Sequence, residues 1–518
     1  MPRTPDDPDT EPTRHTEPAE LAPPADPRRW KALLFIGLAQ LMVVLDTTVV
    51  NIALPSAQQD LGFSDDNRQW VITAYSLAFG SLLLFGGRIA DLVGRRRMFT
   101  IGLIGFAGAS ALGGAAVSTA TLLAARALQG VFGALLAPAA LSLLSVMFHR
   151  PAERAKAFGI YGAVSGGGGA LGLILGGVLT EYLSWRWALF VNLPFAAAGI
   201  IGALTVVREP AGRLPEPPRL DVPGVLLATS GLSALVLGFS RAETEGWHAR
   251  TTVALLVAAV LLLGAFVLVE SRTAAPLLPL RVVTDRNRGG VYLALGLAVI
   301  GMFGLFLFLT YYLQTVKGYS PVASGLSFLP MIVAMVTGST QIGSRLMNRL
   351  PPRLLMGPGF LASALGILLL TRLTPDSSYV ALVLPAQVLL GIGMGTAFMP
   401  ATSLATHKVA PRDAGVASAM VSTSQQVGGA LGTALLSTLA AGAAHRWAST
   451  HLADAPALGA EHFADRATVH GFATASWCAV AALAAAAVVA FTLIDAPRQG
   501  AAPAEDQSTH PQEPALHA

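Results

Sequence analysis

Charged side chains make up only 12% of this 518-residue sequence, about half the share usual in soluble domains. A water-facing globular fold is thereby excluded for most of the chain. Cysteine is nearly missing: Cys478 stands alone, which rules out an internal disulfide framework, and its apolar neighbours suit an inert buried thiol. Lysine is scarce too, four against thirty arginines; with abundant Ala, Gly and Pro, that fits a GC-rich bacterial genome. No HExxH, Walker or nucleophile-elbow string occurs, so neither a membrane enzyme nor a resident metal or cofactor is expected. The rings of charge or repeated filters of a channel are absent as well. The string "GGGGALG" from Gly166 contains GxGxxG but follows no strand, so neither a nucleotide nor nucleic acid is an expected partner.

Long apolar runs are present instead. Hydrophobic residues reach 53%, with a mean hydropathy of +0.59. Fourteen segments can each cross about 30 Å of hydrocarbon at about 1.5 Å per residue. They lie near 31–54, 69–90, 97–117, 120–147, 156–180, 187–207, 222–240, 251–270, 289–313, 322–344, 354–371, 379–406, 414–440 and 470–494. Lys and Arg collect on the cytoplasmic side of short loops. With the N-terminus inside, 25 of the 34 basic residues fall on inner segments, 8 on outer loops, and Arg126 inside a span. The sequence therefore predicts an all-α polytopic membrane protein in a bacterial cytoplasmic membrane, with 14 transmembrane helices and both termini cytoplasmic. Residues 1–30 and 495–518 are rich in Pro and charge, and are expected to be disordered cytoplasmic tails, without the form of a signal peptide.

Internal repetition sets the arrangement. "GGALG" at Gly168 recurs at Gly428, an offset of 260. "GGRIADLVGRR" from Gly86 falls on the degenerate "GSRLMNRLPPR" from Gly343 at an offset of 257, which sets Asp91 on Asn348. "GALLAP" ending at Pro138 falls on "GTAFMP" ending at Pro400 at 262. Spans 2, 4 and 5 thus map to spans 10, 12 and 13. A parallel duplication shifted by eight spans gives a 6+2+6 order: a six-helix bundle over 31–207, a linker with two extra helices over 208–288, and a second, pseudo-symmetric bundle over 289–494.

Asp46, within "LDTTVVNIALP", is the one acid well inside a span, and Arg126 the one base. A mid-span aspartate costs about 2.5–3.5 kcal/mol on insertion scales, so it persists only against a cavity or a partner. By residue count Asp46 lies roughly 12 Å and Arg126 roughly 10 Å from the outer face. The two can meet, or compete for one proton. Desolvation disfavours the charged carboxylate, which makes Asp46 a candidate proton carrier that Arg126 tunes or discharges. The alternative is a permanent, silent ion pair.

Taken together, these motifs resemble the fourteen-span drug:proton antiporters of the major facilitator superfamily, along nearly the whole chain outside the tails. "GRIADLVGRRR" is similar to the superfamily's cytoplasmic loop between spans 2 and 3, and "LDTTVVNIALP" to the first-span motif of the fourteen-span drug exporters. "RALQG" at Arg126 resembles the fourth-span arginine motif; "WRWALFVNLP" at Trp185 and "GYSPVASGLSFLP" at Gly318 are also similar to this group. The resemblance implies the major facilitator fold and an alternating-access monomer in which protons drive export of an amphipathic small molecule. Export of an endogenous metabolite such as a self-made antibiotic, or proton symport, is the alternative. The family's fifth-span motif has proline where this sequence has Leu173, which removes a kink.

The resemblance also implies that Asp91, with Gly87, Arg88, Gly94, Arg95 and Arg96, forms a cytoplasmic gate that holds the outward-facing state. Topology alone would account for the arginines, but not for an acid at a glycine-bounded turn. A carboxylate there suits the positive N-terminal end of a neighbouring helix. Gly168, Gly172, Gly176 and Gly177, with Gly428 and Gly432, form small-residue faces for close helix packing or for a sliding seam between the halves. Candidate cavity groups are Gln40, Asn51, Gln129, Asn192, Gln387, Gln425 and Gln426, with Tyr75, Phe79, Tyr161, Phe303, Tyr311 and Tyr312; each also suits ordinary interhelical hydrogen bonding. One acid among apolar walls favours neutral or monocationic compounds over dications. The stretch 441–469, with His445, His451 and His462, reads as a solvated outer loop.

Overall fold

In a lipid interior every backbone N–H and C=O must be satisfied within the chain, so long apolar runs become helices. The computed structural model describes residues 27–497, apart from 64, 149, 208–219, 348, 408, 411 and 412. Most of both expected tails, and Asn348, lie outside that range. Among the described residues the secondary structure is helical, with no strand. The long helices are α1 Arg29–Leu61, α2 Asp65–Val93, α3 Arg95–Gly114, α4 Thr119–Met147, α5 Pro151–Tyr182, α6 Trp187–Thr205, α7 Val222–Glu245, α8 Arg250–Glu270, α9 Arg286–Tyr311, α10 Val322–Leu346, α11 Arg353–Leu370, α12 Tyr379–Ala405, α13 Ala414–Thr450 and α14 Ala460–Leu493. Twelve contain a stretch long and apolar enough to cross a membrane, where the sequence predicts fourteen; α3 and α9, which open on arginines, are not among the twelve.

Local chemistry sets the helix ends. Side chains of Ser118, Asp221, Asp285, Ser320 and Ser378 accept first-turn N–H groups of α4, α7, α9, α10 and α12. Gly94 alone separates α2 from α3, at φ 107, a conformation in which a side chain would be strained. Two expected limits are corrected. The first span, expected near 31–54, continues as helix through Pro55 to Leu61. The expected outer loop at 441–469 is mostly helix, since the Ala-rich stretch from Ala440 carries α13 on to Thr450 and α14 begins at Ala460.

Packing repeats between the two parts of the chain. α1 packs on α5 as α9 packs on α13; α2 and α3 pack on α4 as α10 and α11 pack on α12; α3 packs on α6 as α11 packs on α14. The two halves meet through α2 against α13 and α5 against α10, contacts that exchange under the same eight-helix shift. α7 lies against α2 and α13, while α8 leans chiefly on α7 and exposes Val257, Val260 and Leu261 by more than half.

Candidate functional site

Asp46 lies inside the first half, wholly buried. Arg126 on α4 donates from Nη1 to Asp46 Oδ2 at 2.5 Å. Asp46 Oδ1 accepts from Gln129 Nε2 and from Asn192 Nδ2, each at 2.7 Å. Ser110 on α3 accepts from both of those amides, at 2.8 and 3.2 Å. Arg126 has further partners in Gln129 Oε1 at 2.8 Å and the Val71 carbonyl at 3.3 Å, and its guanidinium lies 4.5 Å from the Tyr75 ring centre. Side chains of α4 and α6 thus bond one carboxylate on α1, braced by Ser110 of α3 and by Val71 and Tyr75 of α2, and in this conformation the carboxylate has no solvent exposure. Gln129, Asn192 and Tyr75, expected in the cavity, belong to this cluster because their amides and ring satisfy the buried pair. Ser110 escaped the sequence reading; its only signal is a small hydroxyl in an apolar span.

A second constellation ties the halves together at the end of the bundle that carries Gly94. Asp91 accepts the N–H of Gly415 at 2.9 Å with each oxygen, and that of Val416 at 3.3 Å. These are first-turn donors of α13, where the helix dipole favours an anion. Arg95 Nη2 reaches Asp91 at 3.0 Å. Gly87 permits the approach: a Cβ there would sit 2.5 Å from the Gly415 carbonyl oxygen and 2.6 Å from Ala419 Cβ. Arg88 is buried, with its Nε unpartnered. Arg96, expected in the gate, instead donates to the carbonyls of Ala203 and Leu204 and ties α3 to the end of α6. Arg154, which sequence reasoning missed, makes the complementary contact: from the head of α5 its Nη2 donates to Thr406 Oγ1 at 2.5 Å and the Ser403 carbonyl at 3.3 Å, at the C-terminus of α12. An anion sits on a helix N-terminus and a cation on a helix C-terminus, both across the interface. Ser339 Oγ adds a bond to the Gly159 carbonyl at 3.0 Å.

The glycine faces do not form a sliding seam between halves. Cβ atoms at Gly168 and Gly176 would meet Val44 and Val49 of α1 at 2.9 and 3.0 Å, and one at Gly172 would strike Thr48 Oγ1. Gly177 is buried on the same helix. At Gly428 and Gly432 a Cβ would meet Gly296 and Ile300 of α9. These faces draw α5 onto α1 and α13 onto α9, within each half, where close packing replaces the missing hydrophobic drive. Glycines on the interface itself are others, Gly87 against α13 and Gly325 against Leu173 and Ile174.

The remaining cavity candidates scatter. Tyr161 donates to Gln40 Oε1 at 2.7 Å, joining α5 to α1. Asn51 is exposed, Gln425 and Gln426 are half-buried, and Phe79 stacks on Tyr75. Tyr312 does not face a cavity, because its hydroxyl donates to the carbonyls of Thr374 and Ser377 in the loop before α12. Tyr311 is half-exposed and meets Phe472 edge-on. The Phe303 side chain lies outside the described residues. Gln387 is wholly buried with neither amide atom hydrogen-bonded.

A polytopic helical chain in two matched halves, with a buried ion pair and a closed interface at one end, is a membrane transporter in architecture rather than an enzyme. It belongs to the Major Facilitator Superfamily, whose family model matches residues 36–433. It is similar to the puromycin resistance protein of Streptomyces alboniger, 53% identical over 94% of this chain and 96% of that one. The cephamycin export protein of Amycolatopsis lactamdurans is 42% identical over 79% of this chain and 84% of its own. The tetracenomycin C resistance and export protein of Streptomyces glaucescens is 35% identical over 82% and 79%. Among solved structures, a human organic anion transporter matches the fold at a TM-score of 0.61 and 16% identity, over 88% of this chain and 99% of that one.

Proposed function

We propose that this protein exports amphipathic antibiotics from the cytoplasm in exchange for protons, as a monomer of fourteen spans in a 6+2+6 order. α3 and α9 complete the count. The basic Gly94 end faces the cytoplasm, so the bundle is closed on that side. The named relatives, all tied to antibiotic resistance or export, make puromycin the first compound to try.

One observation carries the proton-coupling part: the only acid well inside a span holds a cation that keeps other partners. When Asp46 takes a proton, Arg126 still has Gln129 Oε1, the Val71 carbonyl and the Tyr75 face, so the guanidinium is not stranded. Breaking a buried pair outright costs about 3–5 kcal/mol; a proton exchanged at Asp46 with the arginine resupplied costs less. That difference is available to shift the balance between closed and open ends. Against it, a charge on a helix N-terminus such as Asp91 is worth up to about 2 kcal/mol, a latch that one protonation step can overcome. Outside, Asp46 loads a proton; the halves rock, the Asp91 and Arg154 contacts part, drug enters from within, and the proton leaves to the cytoplasm.

A second reading rests on the full burial of Asp46 and the saturation of both its oxygens: a permanent structural pair, with coupling elsewhere. Proteoliposomes with a pH gradient separate the two. Adding puromycin should release protons from wild type, and an Asp46→Asn protein should move the drug without them. Proton-coupled export by Asp46→Asn would overturn the carrier role; proton uptake with the drug would mean symport.

A further inference from the structure

Asp221 and Glu270 stand at the two open ends of the α7–α8 hairpin, and the transport cycle above uses neither. Asp221 caps α7, its Oδ1 accepting the Gly224 N–H at 2.9 Å. Glu270 ends α8, and its two oxygens accept the N–H groups of Leu277 and Leu278 at 3.2 Å each. Both residues are buried, 7% and 4% exposed. Among the described residues Asp221 Oδ2 has no hydrogen-bond partner. A Cβ on Gly224 would lie 2.6 Å from Glu270 Oε1 and nearer still to Asp221 Oδ2. Gly224 thus leaves open the small space that both carboxyls face.

Two facing carboxylates can only accept, and ionised together at about 4 Å they repel by about 4 kcal/mol at the effective dielectric of a protein surface. Among the described residues the neighbouring cations are engaged elsewhere or exposed. Arg272 is exposed, Arg281 is held by Asp413 at 2.6 Å, and Arg288 of α9 donates to the Arg281 carbonyl at 3.0 Å. On α2, which packs against α7, the buried Arg88 leaves Asp221 Oδ2 unpartnered, and Arg95 at the start of α3 is held by Asp91. Asp413, just before α13, is already paired with Arg281. A single proton placed between Asp221 and Glu270 gives the orphan oxygen its partner and removes the repulsion.

We propose that Asp221 and Glu270 form a second proton-binding site, in which one shared proton clasps the base of the two extra helices. The clasp reaches the gate through the chain. Glu270 pins Leu277 and Leu278, both buried in the main core. Arg281, a few residues on, pairs with buried Asp413, the residue before α13, whose first N–H groups hold Asp91. With the proton bound the strap from Glu270 to Arg281 is fixed; with it lost, the carboxylates part and the strap loosens beside the latch.

Hydrogen exchange on the full-length protein in lipid nanodiscs tests this without any transport, so its failure leaves the export function untouched. Corrected for intrinsic rates, protection of the Leu277 and Leu278 amides should fall at least about tenfold between pH about 6 and pH about 9. Asp221→Asn supplies an amide donor in place of the proton and leaves both Glu270 oxygens free to accept, so both amides should stay protected across that range. Glu270→Gln, whose Nε2 cannot accept an N–H, should keep only one of the two amides protected, again without dependence on pH. Gly224→Ala should lose protection at both pH values. Wild-type protection that ignores pH, amide variants that keep the wild-type slope, or protection that follows Na+ at fixed pH would each overturn the site.

Discussion

Asp91 and Gly415 stand 324 positions apart in the chain and 2.9 Å apart in space, carboxylate to backbone N–H. The contact joins the end of α2 to the start of α13, so its strength bears on whether the Gly94 end stays shut. Asp91→Asn keeps an acceptor but removes the charge, forfeiting up to about 2 kcal/mol and weighting the equilibrium up to about thirtyfold towards opening. Cysteine labelling of the interface in a Cys478→Ala background should therefore speed up. Gly415→Ala should do the same, because its Cβ would meet Asp91 Cγ at 2.8 Å. Unchanged labelling in both would remove the latch role.

Arg154 provides the opposite charge at the opposite kind of helix end. Arg154→Ala should open the same end, and Arg154→Lys should restore only part of the hold: the one Nη2 makes both bonds, but a lysine is shorter and loses the flat guanidinium over the Phe158 ring. If the two contacts close one gate, each shifts the same closed–open equilibrium, so the Asp91→Asn and Arg154→Ala effects on labelling should appear at the same positions and add within about 0.5 kcal/mol. An Arg154→Ala effect confined to positions beside α12 would make Arg154 a separate, local contact.

Replacing both members of the buried pair by uncharged residues distinguishes carrier from structural prop. Arg126→Met alone should lower stability by about 3–5 kcal/mol, because it leaves the Asp46 carboxylate buried without its cation; Asp46→Asn should cost less, because Arg126 keeps Gln129, the Val71 carbonyl and the Tyr75 face. The double variant should recover most of that loss, yet lack all dependence of export on the pH gradient. Export still driven by the gradient in a well-folded double variant would assign the pair to structure alone.

Much of this was legible in the sequence because the membrane forces a period and a charge bias. Twelve of the fourteen expected spans, the matched packing of the two halves and the meeting of Asp46 with Arg126 follow from apolar length, repeated strings and depth. Which side of a helix faces which neighbour did not follow. Gly172 repeats at the spacing of any close-packed face, and only the placement of Thr48 reveals that its partner is α1. Asn192 and Gln129 read equally well as cavity or cluster until their amides are seen on Asp46. Arg154 was hidden by the rule that explains inner-loop arginines without further need.

The α1–α5 contact makes a prediction about stability rather than transport. Gly172→Ala drives a methyl into Thr48 and should cost about 1–3 kcal/mol by overpacking. Gly264 on α8 has nothing within 4 Å of its Cβ position, so Gly264→Ala should be neutral or stabilising by up to about 1 kcal/mol through helix propensity. Thermal unfolding in one detergent compares the two; equal effects would mean that the packing of Gly172 is looser than its contacts imply.

Gln387 invites the reverse experiment. A buried amide with neither atom bonded costs about 1–3 kcal/mol relative to an apolar group of similar shape, so Gln387→Leu should raise the unfolding temperature of the protein without drug. A group kept at that cost inside α12 is a candidate for a polar contact with cargo, since a ligand amide or hydroxyl would satisfy it on binding. The same variant should then bind puromycin more weakly, by about tenfold for one lost hydrogen bond of about 1.4 kcal/mol. A gain in stability with unchanged drug affinity would place Gln387 outside the cargo path, whatever its cost to the fold.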